Sequence, residues 1–170
     1  MATNLQFIKS ASASSVSSTS VTDIFTDKYD VYFISLTQGG TSSDTNIGMT
    51  FLDSGGTEIT ASEYDFALLN MTAYASFAES RSTNTTRFAT ISFGRDNVGQ
   101  GTGIYVFNPY DSSSFTFIES KAGTFDTGNG LIGRKNIGVH KSAEQLSGVV
   151  FKAITSPKTI SLEINVYGVK

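Results

Sequence analysis

The stretch Ile160-Ser-Leu162-Glu-Ile164-Asn-Val166-Tyr-Gly-Val-Lys170 decides the fold. Successive side chains of an extended chain point to opposite faces, so Ile160, Leu162, Ile164 and Val166 share one side and Ser161, Glu163, Asn165 and Tyr167 the other. A period of two is the mark of a half-buried antiparallel strand. The pattern breaks at Gly168, two residues before Lys170, so this end of the chain is expected to be tied into a sheet.

The same alternation recurs upstream. Val149 to Ile154, Phe115 to Ser120 and Gly103 to Asn108 read as strands, the last ended by Pro109, which lacks an amide donor. Arg87 to Phe93 alternates through Phe88, Ile91 and Phe93, while Glu79 to Thr86 reads as a polar loop. Tyr64 to Phe77 fits a short helix or a long buried strand. Strand is favoured because its neighbours are strands and its aromatics Tyr64, Phe66, Tyr74 and Phe77 suit a pleated surface. Asn46 to Leu52 is a strand closed by a hairpin-type turn at Asp53-Ser-Gly55-Gly56, and Tyr29 to Thr37 is a strand rich in aromatic and β-branched residues. In Ser10 to Ser20, seven of eleven residues are Ser. Val16, Val21, Ile24 and Phe25 supply apolar anchors around it, so an edge strand is expected here and not a linker. Only Ser142 to Leu146 offers a helical turn.

Some nine or ten strands at hairpin-like spacing, with Gly at the turns, predict an all-β single domain over residues 1–170. The expected architecture is an antiparallel two-sheet β-sandwich, jelly-roll-like, with residues 1–22 as a Ser-rich N-terminal arm or edge strand; an up-and-down barrel is the alternative.

Composition narrows the function classes. Charged residues are 16% of the chain, against roughly 25% in an average domain, and Ser and Thr make up about a quarter. Hydroxyls cost less to desolvate than charges, so this surface suits burial against other proteins. The absence of cysteine excludes disulfides, thiolate metal sites and a cysteine nucleophile. The longest apolar runs fall far short of a membrane span and no signal peptide is expected. A net charge of −3 argues against nucleic-acid binding. Residues 1–120 carry five basic and twelve acidic groups, residues 121–170 seven basic and three acidic. If these regions end on different faces, copies could associate head to side; interleaved strands would mix the charges instead.

No catalytic, cofactor-binding or metal-binding residue is predicted. His140 is the one histidine, and no G-x-S-x-G elbow accompanies the twenty-four serines, so a surface or strand-edge role is expected for it. One His without Cys leaves a tetrahedral zinc site short of ligands. Asp126-Thr-Gly128 matches the aspartic-protease triplet, but such an enzyme pairs two carboxylates and the surrounding pattern is missing; Asp-Thr-Gly-Asn-Gly reads as a turn. Gly99-Gln-Gly-Thr-Gly103 leads into a strand instead of a helix N-terminus, which removes the physical basis for phosphate binding and leaves a flexible turn or bulge. Asp23, Asp27, Asp30, Asp44 and Asp53 lack the spacing of a calcium loop. Six Glu and nine Asp give no preferred glycosidase pair. Tyr64 and Tyr110 would suit sugar stacking if exposed, although core or interface is the commoner place for such residues.

The order of features, an opening Leu5-Gln-Phe-Ile-Lys-Ser10, a Ser-rich lead into Val21-Thr-Asp-Ile-Phe25, then Tyr29-Asp-Val-Tyr-Phe-Ile34, the Asp53-Ser-Gly-Gly-Thr57 turn and Ile164-Asn-Val-Tyr-Gly-Val169, resembles small β-sandwich virion proteins of tailed, marine-type bacteriophages. That resemblance implies a non-enzymatic structural protein, without cofactors, packed in multiple copies as a capsid decoration or cement protein. A tail or fibre component, or a lectin-like receptor- or carbohydrate-binding module, is the alternative. It further implies other virion proteins (capsid or tail subunits) as partners, a homo-oligomer such as a trimer or ring, no nucleic acid or membrane, and assembly into the virion in the host cytoplasm. The Ser10 to Ser20 strand is the expected place for pairing with a neighbouring chain, unless it serves as an internal edge strand. In the lectin alternative the loops Gly39 to Asp44, Glu79 to Thr86 and Asn108 to Ser114 would form the binding end.

Overall fold

The structure is a computed structural model that describes residues 4–41, 45–94, 100–126, 128 and 130–170. Its twelve strands, in chain order, are β1 (Leu5–Val16), β2 (Ser18–Val21), β3 (Val31–Thr41), β4 (Thr45–Asp53), β5 (Tyr64–Thr72), β6 (Ala78–Thr85), β7 (Phe88–Gly94), β8 (Gln100–Phe107), β9 (Thr116–Asp126), β10 (Gly130–His140), β11 (Leu146–Ala153) and β12 (Ile160–Val169). All pair antiparallel, in an eight-stranded sheet ordered β1-β12-β3-β8-β9-β10-β5-β6 and a four-stranded sheet ordered β2-β11-β4-β7.

Eight of these strands form a jelly roll. Counting β1, β2, β3, β4, β7, β8, β11 and β12 as one to eight, the sheets run 1-8-3-6 and 2-7-4-5, so the chain winds back and forth between layers. The remaining four are two hairpins, β5–β6 inserted between β4 and β7 and β9–β10 inserted between β8 and β11. They join to each other along β10–β5, from Ile132↔Thr72 to His140↔Tyr64, and widen the large sheet.

The alternation of β12 is borne out. Ile160, Leu162, Ile164 and Val166 are buried at 0–2% exposure, between β1 on one side and β3 on the other. The pattern does not break at Gly168: that position faces inward, and the Tyr29 ring fills the space of its missing side chain, lying 2.5 Å from where a Cβ would stand. Tyr29 in turn donates its hydroxyl to Gln6 on β1 (2.5 Å). The core lies between the layers, with the Phe51 ring of β4 against Phe25, Tyr64, Phe88 and His140 at 5.8–6.3 Å between centroids. Val21, Ile24 and Phe25 anchor the Ser-rich lead in this core, with Val16 packed at its margin.

Several expectations need correction. The segment Glu79 to Thr86 is not a loop: through Thr85 it belongs to the edge strand β6. The strand begun at Tyr64 ends at Thr72, and Tyr74 and Phe77 sit exposed in the turn that follows. Residues 142–145 carry no helical turn, and Leu146 already opens β11. Gln100 to Gly103 is regular strand, not a loop. Strand β10 was not foreseen; it pairs with β9 up to Asp126↔Gly130, and of the residues between them Gly128 lies in a turn while Thr127 and Asn129 lie outside the described residues.

Candidate functional site

The outer face of the large sheet carries the feature that stands out. Inner positions of β9 hold Ile118, Ser120, Ala122 and Thr124, which places Phe117, Glu119, Lys121 and Phe125 outside. Strand pairing lines outer residues up in rows across the sheet. One row runs Leu5, Val169, Val31, Phe107, Phe117, Val139, over six neighbouring strands. The next runs Phe7, Tyr167, Phe33, Tyr105, Glu119, Ile137, Ala67. Their rings touch in series: Phe7–Tyr167 at 5.8 Å, Tyr167–Phe33 at 6.2 Å, Phe33–Tyr105 at 5.1 Å and Tyr105–Phe107 at 6.4 Å.

Of the eleven large apolar side chains exposed among the described residues, eight lie on this face: Leu5, Phe7, Leu69, Tyr105, Phe117, Phe125, Leu131 and Ile137. Toward the β5–β6 hairpin is an open apolar depression of about 640 Å³ whose lining includes Phe107, Phe117, Ile137, Val139 and Arg81. Scattered exposed apolar residues are ordinary on a soluble protein; contiguous ones mark a surface that meets another molecule. The polar residues of the face also lie in register. Lys121 and Lys135 stand directly opposite each other, with Glu119 diagonal to Lys135, and beyond them Gly101, Gly123 and Gly133 form a row without side chains.

The edges are less inviting. Strand β1, which holds most of the Ser-rich tract, is the edge strand of the large sheet, paired with β12 on one side. Its register shifts twice, between Phe7 and Lys9 and between Ala13 and Val16, and Ser15 has a φ of 54°. Bulges of this kind twist an edge away from further strand addition.

The other predicted positions scatter. Tyr64 is fully buried in β5, where its hydroxyl donates to the Ile59 carbonyl (3.0 Å) and accepts from the Phe51 amide (3.1 Å); burial pushes its pKa well up. Tyr110 packs half-buried against the core. Asp53 accepts from the amides of Gly55 and Thr57, both 2.8 Å, as a turn residue. Asp23, Asp27 and Asp30 are exposed and do not gather into a ligand set among the described residues, and Asp44 lies outside them. The three loops proposed for a binding end do not converge. Antiparallel pairing of Val31 with Phe107 and Thr37 with Gly101 puts Asn108 to Ser114 at the opposite end of the sheet from Thr41; Gly39 to Thr41 belong to β3, Ser42 to Asp44 lie outside the described residues, and Glu79 to Thr85 is an edge strand. The two charge-biased regions interleave, since basic β10 lies between β9 and β5, and Lys141–Asp65 (2.8 Å) and Lys152–Glu58 pair across them.

His140 is not at the surface. Its side chain is 0% exposed at the end of β10, against Tyr64 and Phe51, and Nε2 faces the carboxylates of Glu63 (3.3 Å) and Glu144 (3.8 Å). Burial holds its pKa below the usual histidine value despite the two acids, which pull it upward. Sequence spacing gives little sign of this trio, because Glu63 and His140 meet only through the β5–β10 pairing.

Comparison with protein-family profiles, curated proteins and solved structures finds no match to this chain.

Proposed function

We propose that this protein is a non-enzymatic structural component of a tailed-phage virion, packed in multiple copies as a capsid decoration or cement protein through the outer face of its large sheet. The observation that carries the reading is a pair of adjacent rows on that face, one apolar over six strands and the other aromatic over four before Glu119 interrupts it. An apolar area of this extent is costly to leave in water and suits a permanent neighbour. The low charge and high Ser and Thr content of the chain favour the same use. The fold is neutral on this point, since jelly rolls serve as capsid and lectin domains alike. The virion setting rests on the sequence resemblance described above. The face serves as the contact in preference to the Ser-rich edge, because β1 is bulged.

The test is co-sedimentation of the purified chain with phage particles that lack it. Binding to a shell or tail at a fixed ratio, abolished by charges placed at Phe117 and Ile137, is the expected result. A chain that ignores particles and instead holds to host cells in competition with polysaccharide would overturn the proposal in favour of a receptor-binding module.

A further inference from the structure

The second feature is independent of the outer face and lies at the seam where the two inserted hairpins meet the jelly roll. Glu63 immediately precedes β5, His140 ends β10, and Glu144 lies in the link from β10 to β11. One ligand-type atom from each of the three lies within 4.8 Å of the other two. The arrangement is held from the backbone, since the Lys141 amide donates to the Glu63 carbonyl (2.8 Å) and His140 stands opposite Tyr64 in the ladder.

Both ring nitrogens of His140 are buried and make no hydrogen bond. Orphaned polar atoms in an aromatic setting are costly unless something meets them. Nε2 is directed at the Glu63 and Glu144 carboxylates, and a divalent cation between the three groups would take the imidazole lone pair and balance the two negative charges. Lys141, the neighbouring cation, is engaged elsewhere, with Asp65 (2.8 Å) and Asn84 (2.5 Å). Glu63 and Glu144 are 39% and 32% exposed, so an ion can enter between them from solvent.

We propose that Glu63, His140 and Glu144 form a binding site for a first-row divalent cation of the zinc type. A tetrahedral ion with bonds of about 2.0–2.2 Å to nitrogen and carboxylate oxygen sets its ligand atoms about 3.3–3.6 Å apart. The Nε2 to Glu63 Oε2 distance of 3.3 Å is that edge already, the 3.8 Å to Glu144 Oε1 is longer than it, and the two carboxylates lie within 4.8 Å of each other. Water supplies the fourth ligand. Calcium and magnesium are disfavoured, because they call for six or more oxygens and a nitrogen donor adds nothing for them. The bound ion ties the start of β5 and the end of β10 to the strand that returns to the small sheet, a cross-link in a chain without cysteine.

The experiment is titration of the chelator-treated full chain with zinc chloride, followed by calorimetry and by the Hε1–Cε1 NMR signal of His140, which is unambiguous because the chain has one histidine. Saturation at one ion per chain, with the His140 signal moving to the same endpoint, is expected; magnesium chloride should leave it in place. Glu63→Gln and Glu144→Gln, both at partly exposed positions that spare the fold, should each weaken zinc binding at least about tenfold, while Glu119→Gln on the outer face leaves it unchanged. No stoichiometric binding, an unmoved His140 signal, or wild-type affinity retained in both glutamine variants would overturn the site. None of these outcomes bears on particle binding.

Discussion

Tyr64 shows how one polar atom can join the two layers. Its hydroxyl, on a strand of the large sheet, accepts from the Phe51 amide of the small sheet and donates to Ile59. Replacing Tyr64 by Phe keeps the ring packing and strands a buried amide, so a loss of about 1–3 kcal/mol is expected in chemical denaturation. At the surface, Asp111 accepts hydrogen bonds from the Ser113 and Ser114 hydroxyls and from the Ser113 amide, and these hold its pKa down at about 2. A folded pKa below the ordinary value of 3.8 means that the turn's contribution is present above pH 3.8 and is lost as pH falls through about 2. An NMR carboxyl titration of Asp111 should have its midpoint near the lower value and move upward in Ser113→Ala. His140 was legible as a lone histidine and misplaced at the surface, because its burial comes from β4 and β5, both distant in sequence.

Among the elements, legibility followed the polarity of the inner face. β12, β3, β4, β7, β8 and β11 bury aliphatic and aromatic residues and could be read directly. β10 could not, because its inner positions include Arg134, Asn136 and His140. The first two are satisfied in ways no period reveals: Arg134 donates to Asn70 (2.8 Å) and Asn46 (3.1 Å) and lies over the Phe93 ring, and Asn136 donates to Ser120 (2.9 Å). β6, AESRSTNT, has no apolar stripe because an edge strand with most side chains in water needs none. The short β2 depends on a glycine opposite it. A Cβ at Gly148 would stand 2.2 Å from the Val21 carbonyl oxygen and 3.0 Å from the Thr22 Cα, both backbone atoms that cannot swing aside. Gly148→Ala should push β2 off β11, cost roughly 1–3 kcal/mol and raise hydrogen exchange at Thr19 and Val21 while leaving β12 protected.

For the molecule as a whole, the winding between layers was foreseeable in kind, since strand number and spacing pointed to a jelly-roll sandwich. The widening of one sheet by two joined hairpins was not, because it depends on the β10–β5 pairing between segments about seventy residues apart in sequence. That widening creates the broad outer face on which the proposed function rests. A stable protein contact buries about 800 Å² per partner, roughly a tenth of this chain's 8266 Å² surface, and the aromatic rows offer a continuous apolar centre for one. Because Phe117 and Ile137 are about half exposed and Ile137 stands directly opposite Glu119, Phe117→Asp and Ile137→Asp should each cost roughly 1–2 kcal/mol of folding stability. The most direct test of the central claim is sedimentation equilibrium of the wild-type chain beside Phe117→Asp/Ile137→Asp. The account predicts a discrete oligomer for the wild type and a folded monomer for the double variant; a wild-type monomer at high concentration, or an oligomer unchanged by the two charges, would contradict it.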